Sequence, residues 1–125
     1  MLKDVDVIAT IAVKDLDAAR EFYEDKLGLK RDVEEEPGSL AFRSGRTSLF
    51  VYESEYAGTN EATAATWTVD ELEPLVASLK KKGIEFEHYD LPGMEREGDI
   101  HTGGTTKAAW FKDPDGNVLA VVSSV

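Results

Sequence analysis

One pattern occurs twice in this chain, and it limits the fold more than any other feature. Val13-Lys14-Asp15-Leu16 is echoed by Val69-Asp70-Glu71-Leu72, and Leu27-Gly28-Leu29 is echoed by Lys82-Gly83-Ile84 at nearly the same offset. In each copy a β-branched apolar run leads into an acidic residue, then into apolar residues at helical spacing, then into glycine. That order describes a strand, a capped helix and a glycine stop. The chain therefore divides into two tandem units of the βαββ(β) kind, residues 1–55 and 62–125. Residues 56–61, Tyr-Ala-Gly-Thr-Asn-Glu, have the chemistry of a connector. Neither half is large enough for a core of its own, so two such units fold by sharing one buried seam. At 125 residues one domain is expected.

Within the first unit, residues 5–13 alternate loosely and are apolar on both sides, as a strand covered on both faces would be. Asp15 is placed to cap a helix over 15–27, with Leu16, Ala19, Phe22, Tyr23 and Leu27 on one stripe and Gly28 ending it. Strands are expected over 29–33, 39–43 and 47–53, separated by the acidic break Glu34-Glu35-Glu36-Pro37-Gly38 and the Ser44-Gly45-Arg46 turn. In the second unit a strand is expected over 64–69. Asp70 and Glu73 could cap a helix reciprocally, with Leu72, Leu75, Val76 and Leu79 on its apolar face and Pro74 tolerated in its first turn. Strands follow over 84–89, 108–111 and 118–122, the last two joined by Asp113-Pro114-Asp115-Gly116. The glycine-rich stretch 91–107 between them has the composition of a mobile flap.

Composition removes several classes of function. With 25 acidic and 14 basic residues the net charge is −11, which repels a polyphosphate backbone and argues against nucleic acid as a partner. Cysteine is absent, so disulfides, thiolate nucleophiles and sulfur-ligated zinc are excluded. No apolar run approaches the ~20 residues of a membrane span, and Met1-Leu2-Lys3-Asp4 lacks a signal-peptide layout; a cytoplasmic location is expected. Gly103-Gly104-Thr105-Thr106 is not followed by the Gly-Lys-Ser/Thr ending or the helix of a phosphate loop. There is no Gly-x-Ser-x-Gly elbow for a serine nucleophile.

The residues from Val13-Lys14-Asp15-Leu16 through Phe22-Tyr23 and Leu27-Gly28-Leu29, together with Trp110-Phe111-Lys112-Asp113-Pro114-Asp115-Gly116-Asn117, resemble the vicinal oxygen chelate superfamily. That superfamily contains glyoxalase I, bleomycin-resistance proteins, extradiol dioxygenases and fosfomycin-resistance transferases. The resemblance implies an α+β fold in which two tandem βαβββ modules curl a mixed sheet into a cup, with the helices outside and one ligand cavity within. It also implies pairing of two chains into a homodimer. Metal-dependent relatives place a ligand on the first strand, a carboxylate late in the fourth, a ligand at the start of the second half and a glutamate after the Asp-Pro-Asp-Gly turn. The matching residues here are Ile8, Phe50, Ala64 and Ala120. None has a lone pair to give a divalent ion, which needs three or more nitrogen or oxygen ligands. The resemblance therefore implies a member with no metal and no other cofactor.

Alternation by two places Thr10 beside Ile8, Tyr52 beside Phe50 and Thr66 beside Ala64. The likeness to relatives turns Trp110 inward and leaves Phe111 to the core, and the parity of Trp67 sends it to the helix side. The expected binding surface is thus Ile8, Thr10, Phe50, Tyr52, Ala64, Thr66, Trp110 and Ala120, an apolar and aromatic lining suited to a small organic molecule. Three functions are compatible with it. The leading one is metal-independent binding of an apolar or aromatic ligand, as in drug or metabolite sequestration. The second is a cofactorless isomerase, lyase or epimerase using His101, Glu87, Tyr89 or Asp90 as acid and base. The third is a homodimeric interaction module without ligand. His88 is expected to be a solvated strand residue.

Overall fold

The protein is described here from a computed structural model covering residues 1–32 and 37–125. The repeat seen in the sequence is a repeat of topology. In the first module β1 (Ala9–Val13) leads into helix α1 (Leu16–Arg20), then β2 (Lys30–Arg31), β3 (Ser39–Ser44) and β4 (Thr47–Glu53). They form a sheet in the order β1-β4-β3-β2, in which β1 runs parallel to β4. In the second, β5 (Thr63–Thr68) leads into α2 (Leu72–Lys81), followed by β6 (Phe86–Glu87), β7 (Glu95–Glu97), β8 (Ile100–Gly103), β9 (Thr106–Lys112) and β10 (Val118–Ser124). Its sheet runs β5-β10-β9-β8-β7, with β6 also on β9, and β5 is again parallel to the last strand. The result is an α+β molecule of two mixed sheets with helices on one side. No helix among the described residues is long and apolar enough to cross a membrane.

Asp15 caps α1 as its position predicts, accepting from the backbone N–H of Asp17 at 2.9 Å and of Ala18 at 3.3 Å. After Arg20 the helix widens into a π-helical segment, Glu21–Lys26, that ends when Leu27 N–H bonds Phe22 O at 3.0 Å. Gly28, at φ 76°, then turns the chain out, a conformation that costs a Cβ-bearing residue about 1–2 kcal/mol. Phe22 and Tyr23 are both buried on this stretch. The start of α2 departs from expectation. Glu71 occupies the cap position and makes no side-chain cap bond, while Glu73 pairs with Lys107 of β9 instead of closing back on Asp70. The helix begins after Glu71, so the reciprocal cap would fall out of register by one residue.

Pairing sets the strand lengths. The expected strand over 5–13 is realised only from Ala9, where Leu49 of β4 becomes its partner. Val5 and Val7 stand exposed before it. The strand over 29–33 shrinks to Lys30–Arg31, with Val33 and the acidic break 34–36 outside the described residues. The strand over 84–89 shrinks to Phe86–Glu87, because only those two residues meet β9. The largest correction concerns 91–107. This stretch is no flap: β7 and β8 form a hairpin that extends the sheet, and β8 continues through a second hairpin into β9.

One apolar core joins the modules, with Ile11, Val13, Phe42 and Val51 on one side and Leu72, Phe111, Leu119 and Val121 on the other. Phe22 meets Phe111 across the boundary at 6.3 Å between ring centres. A polar knot locks the same seam. The buried Asp113 carboxylate accepts from Tyr23 Oη at 2.7 Å, Asn117 Nδ2 at 2.8 Å, Asn117 N at 2.9 Å and Asp115 N at 3.0 Å. Asn117 Nδ2 also donates to Ala12 O at 2.8 Å, and Asp115 Oδ2 accepts from Lys14 N at 3.1 Å. Burial first, then the Asp113 charge, pushes the Tyr23 phenol well above the usual tyrosine range, so its proton stays in the hydrogen bond. The connector packs against this turn as well. A Cβ on Gly58, which has φ 72°, would lie 2.0 Å from Asp115 O.

Candidate functional site

The faces turned away from the helices carry most of the expected binding residues. On the first sheet Thr10 lies opposite Phe50 and Ala12 opposite Tyr52, with Ala41 and Ser39 completing the rows on β3. Period-two alternation decides this: Leu49 and Val51 go to the core, so Phe50 and Tyr52 cannot. Their rings stack at 6.2 Å and 16°, and they remain 37% and 38% exposed. Aromatic side chains this open, in contact with each other, offer a flat apolar platform. Ile8 departs from expectation. It precedes the β1 ladder and is exposed, so no pairing fixes it to the Thr10 face.

On the second sheet Ala120 is flanked in register by Thr66 and Trp110. Ala64 lies at the irregularity where β10 shifts register against β5, and it is exposed. Ala120 itself is buried, so it supports the face without offering surface. Trp110 is half-buried and donates from Nε1 to Thr63 Oγ1 at 3.2 Å. Trp67 takes the helix side as its parity predicts, bonding Ser44 Oγ at 2.9 Å.

Three residues considered as acids and bases converge on Trp110. Glu87 is its register partner on β6 and pairs with Lys112 at 3.3 Å. Tyr89 meets the indole edge to face at 5.4 Å, and His101 does so at 4.9 Å. Burial, followed by the Glu87 charge, raises the Tyr89 phenol above its ordinary value, keeping it protonated. His101 is buried, and its Nε2 accepts the Tyr89 backbone N–H at 3.0 Å. A ring nitrogen that accepts must carry a lone pair, so the proton is on Nδ1, where it meets neither solvent nor any partner among the described residues. Beside Tyr89 a hollow of about 440 Å³ opens, walled by Asn60, Glu61, Lys112 and Val118.

Sequence reasoning missed the burial of His101 because it missed the hairpins. The signal was present: Gly98-Asp99 and Gly104-Thr105 are each the two-residue spacer of a tight hairpin. His88, by contrast, is open to solvent as expected, but it is held. Its Nε2 lies 2.7 Å from Asp99 Oδ1, while Lys80 Nζ lies 2.8 Å from Oδ2. These two hydrogen bonds, the lysine's first, hold the Asp99 carboxyl below the usual aspartate range. Asp90 is exposed.

The four residues that the resemblance matches to metal-ligand positions offer no donor atom in their side chains. Ile8, Phe50, Ala64 and Ala120 present only carbon, and no group of three or more His, Cys, Asp or Glu among the described residues could hold an ion.

Two mixed sheets of repeated βαβββ order, curled with their helices on one side, define the paired-module cup proteins. Solved structures of that class cover nearly the whole chain. A protein from Bacillus anthracis assigned to the glyoxalase family superposes with a TM-score of 0.75 at 17% identity, covering 100% of this chain and 98% of its own. A glyoxalase/bleomycin resistance protein/dioxygenase from Alicyclobacillus acidocaldarius gives 0.71 at 24% identity, with 99% and 95% covered. Lactoylglutathione lyase from Agrobacterium tumefaciens gives 0.71 at 19%, with 98% and 96% covered. No curated protein matches the chain significantly. The sequence profile of the Glyoxalase/Bleomycin resistance protein/Dioxygenase superfamily matches residues 5–121, and the chain belongs to that superfamily.

Proposed function

We propose that this protein binds a small apolar or aromatic organic molecule on its helix-free faces without a metal ion, as a sequestering or carrier protein. The observation that carries this reading is the exposed Phe50–Tyr52 stack. Large aromatic side chains left in water cost free energy that a flat ligand recovers by covering them. The carbon-only residues at the ligand positions of metal-dependent relatives support the same reading, as does the indole of Trp110 on the equivalent face of the second sheet. A net charge of −11 favours neutral or cationic ligands over anions.

Tryptophan fluorescence titrated with a panel of neutral and cationic aromatic compounds tests this. Saturable quenching is expected in the native chain, and the part of it contributed by Trp110 is absent in Trp110→Phe. A panel without effect, or purified protein retaining a stoichiometric transition metal, overturns the proposal. Two copies are proposed to pair, and light scattering decides that point.

A second reading, turnover without cofactor, draws on the cluster around Trp110. There a buried imidazole with an unused Nδ1–H, a protonated Tyr89 and the Glu87 carboxylate lie around one indole. Tyr89 and Glu87, both partly open, can donate to and accept from one substrate, while His101 holds the Tyr89 backbone in place. In that case Tyr89→Phe abolishes turnover while leaving ligand quenching intact.

A further inference from the structure

On the opposite side of the sheets, where the helices pack, the two module boundaries differ. Next to the end of α1, Phe22 and Ile84 border a depression whose other walls carry Lys26, Glu85, Glu87 and Lys112. At the corresponding boundary next to α2, the space is a hollow of about 150 Å³ with nearly all of its wall apolar, formed by Leu29, Trp67, Val69, Leu75, Leu79 and Phe111. The same architecture thus yields one charged and one greasy niche, so the apolar character belongs to these residues and not to the fold. The single polar feature of the wall is Ser44. Its Oγ accepts the Trp67 indole N–H at 2.9 Å, and among the described residues its own hydroxyl hydrogen has no acceptor.

We propose that this hollow is a second ligand site, separate from the helix-free faces, that takes one uncharged six-membered ring or a branched alkyl group of equal size, with an acceptor oxygen at the Ser44 hydroxyl. Its size sets the class. The hollow is partly open to solvent, and its volume matches that of an apolar cavity of about 150 Å³ that holds a benzene-sized guest, whereas drug-sized ligands need roughly 300 Å³ or more. A helix or peptide strand does not fit. An ion is excluded because no charged residue lines the wall. The Ser44 donor favours a phenol, ketone or ether over a plain hydrocarbon.

The chain has two tryptophans, so in a Trp110→Phe background Trp67 is the sole indole and reports on this hollow alone. Benzene and phenol are the probes. Both are expected to change Trp67 emission saturably, phenol binding several-fold more tightly, with that preference lost in Ser44→Ala. Leu75→Phe, which fills the hollow from the outer turn of α2, is expected to weaken both at least tenfold; Leu29→Phe is the second filling variant. In the native chain, methyl NMR should show saturable benzene-induced shifts at Leu27, Leu29, Val69, Leu75, Leu79 and Val121. Emission that changes linearly without saturation, filled variants that bind as well as the parent, or methyls around the hollow that do not shift overturn the proposal.

Discussion

Two aspartates of this protein hold elements together in opposite ways. Asp113 is buried at the module seam and accepts four hydrogen bonds, none of them from a cation. Asp99 stands near the surface between Lys80 and His88, both about half exposed, and its partners are chargeable groups. A carboxylate out of water needs several fixed donors, and those donors come from the strand–turn–strand unit around it and from Tyr23 in the π-helical segment after α1. The Asp99 carboxylate is itself largely covered, but its two partners lie open to solvent and salt, which screen their attraction for it. The Asp-Pro-Asp-Gly-Asn stretch, the part of the sequence most suggestive of family membership, is therefore a structural clasp. Its side chains bind the first module's helix and strand.

The sharpest way to break the comparison is Asp113→Ala. It strands the Tyr23 hydroxyl, the Asn117 amide and two backbone N–H groups in a site that excludes water, so a loss of about 3–5 kcal/mol is expected. Urea unfolding measures it. A loss below 1 kcal/mol would mean that the knot is ornamental and that the apolar seam alone joins the modules.

Tyr23→Phe sharpens the same point more gently. Phenylalanine keeps the ring contacts with Phe22 at 5.1 Å and Phe42 at 5.9 Å and removes only the hydroxyl donor. A bond to a charged acceptor contributes about 1.5–3 kcal/mol, and a loss in that range is expected in the same unfolding experiment. Because the buried phenol does not ionise near neutrality, the loss should be equal at pH 6 and pH 9.

How much of this was visible in the sequence depends on whether the deciding interaction is local. The Asp15 cap, the parity of Trp67 and the bounds of β4 all follow from residues a few positions apart, and all hold in the structure. β7, Glu95–Glu97, is exposed at every residue; it has no apolar alternation to detect and exists because β8 supplies its partner. Ile8 lost its expected place for the converse reason: its composition suits a strand, and the ladder with β4 begins only at Ala9. His101 was the hardest to place, since its neighbours come from elsewhere in the chain, Tyr89 from the stretch after β6 and Trp110 from β9. The open Phe50–Tyr52 pair could be anticipated because Leu49 and Val51 around it are unambiguous core residues.

Asp99→Asn probes the other half of the comparison and should have the smallest effect. The folded-state carboxyl of Asp99 is held below its ordinary value of 3.8 by Lys80 and His88, so its ionised form is favoured by folding. The stability it adds is therefore complete above the unfolded aspartate pKa of about 3.9 and disappears as pH falls through the lower folded value. With both partners so exposed, that stability is about 0.5–1 kcal/mol. Native chain and Asp99→Asn should thus differ slightly in melting temperature at pH 6, converge as pH falls below the lowered folded-state value, and differ less in 1 M salt. A gap as large as that for Asp113→Ala, or one that salt leaves unchanged, would show that this bridge too works by buried hydrogen bonds and that the distinction between the two aspartates is false.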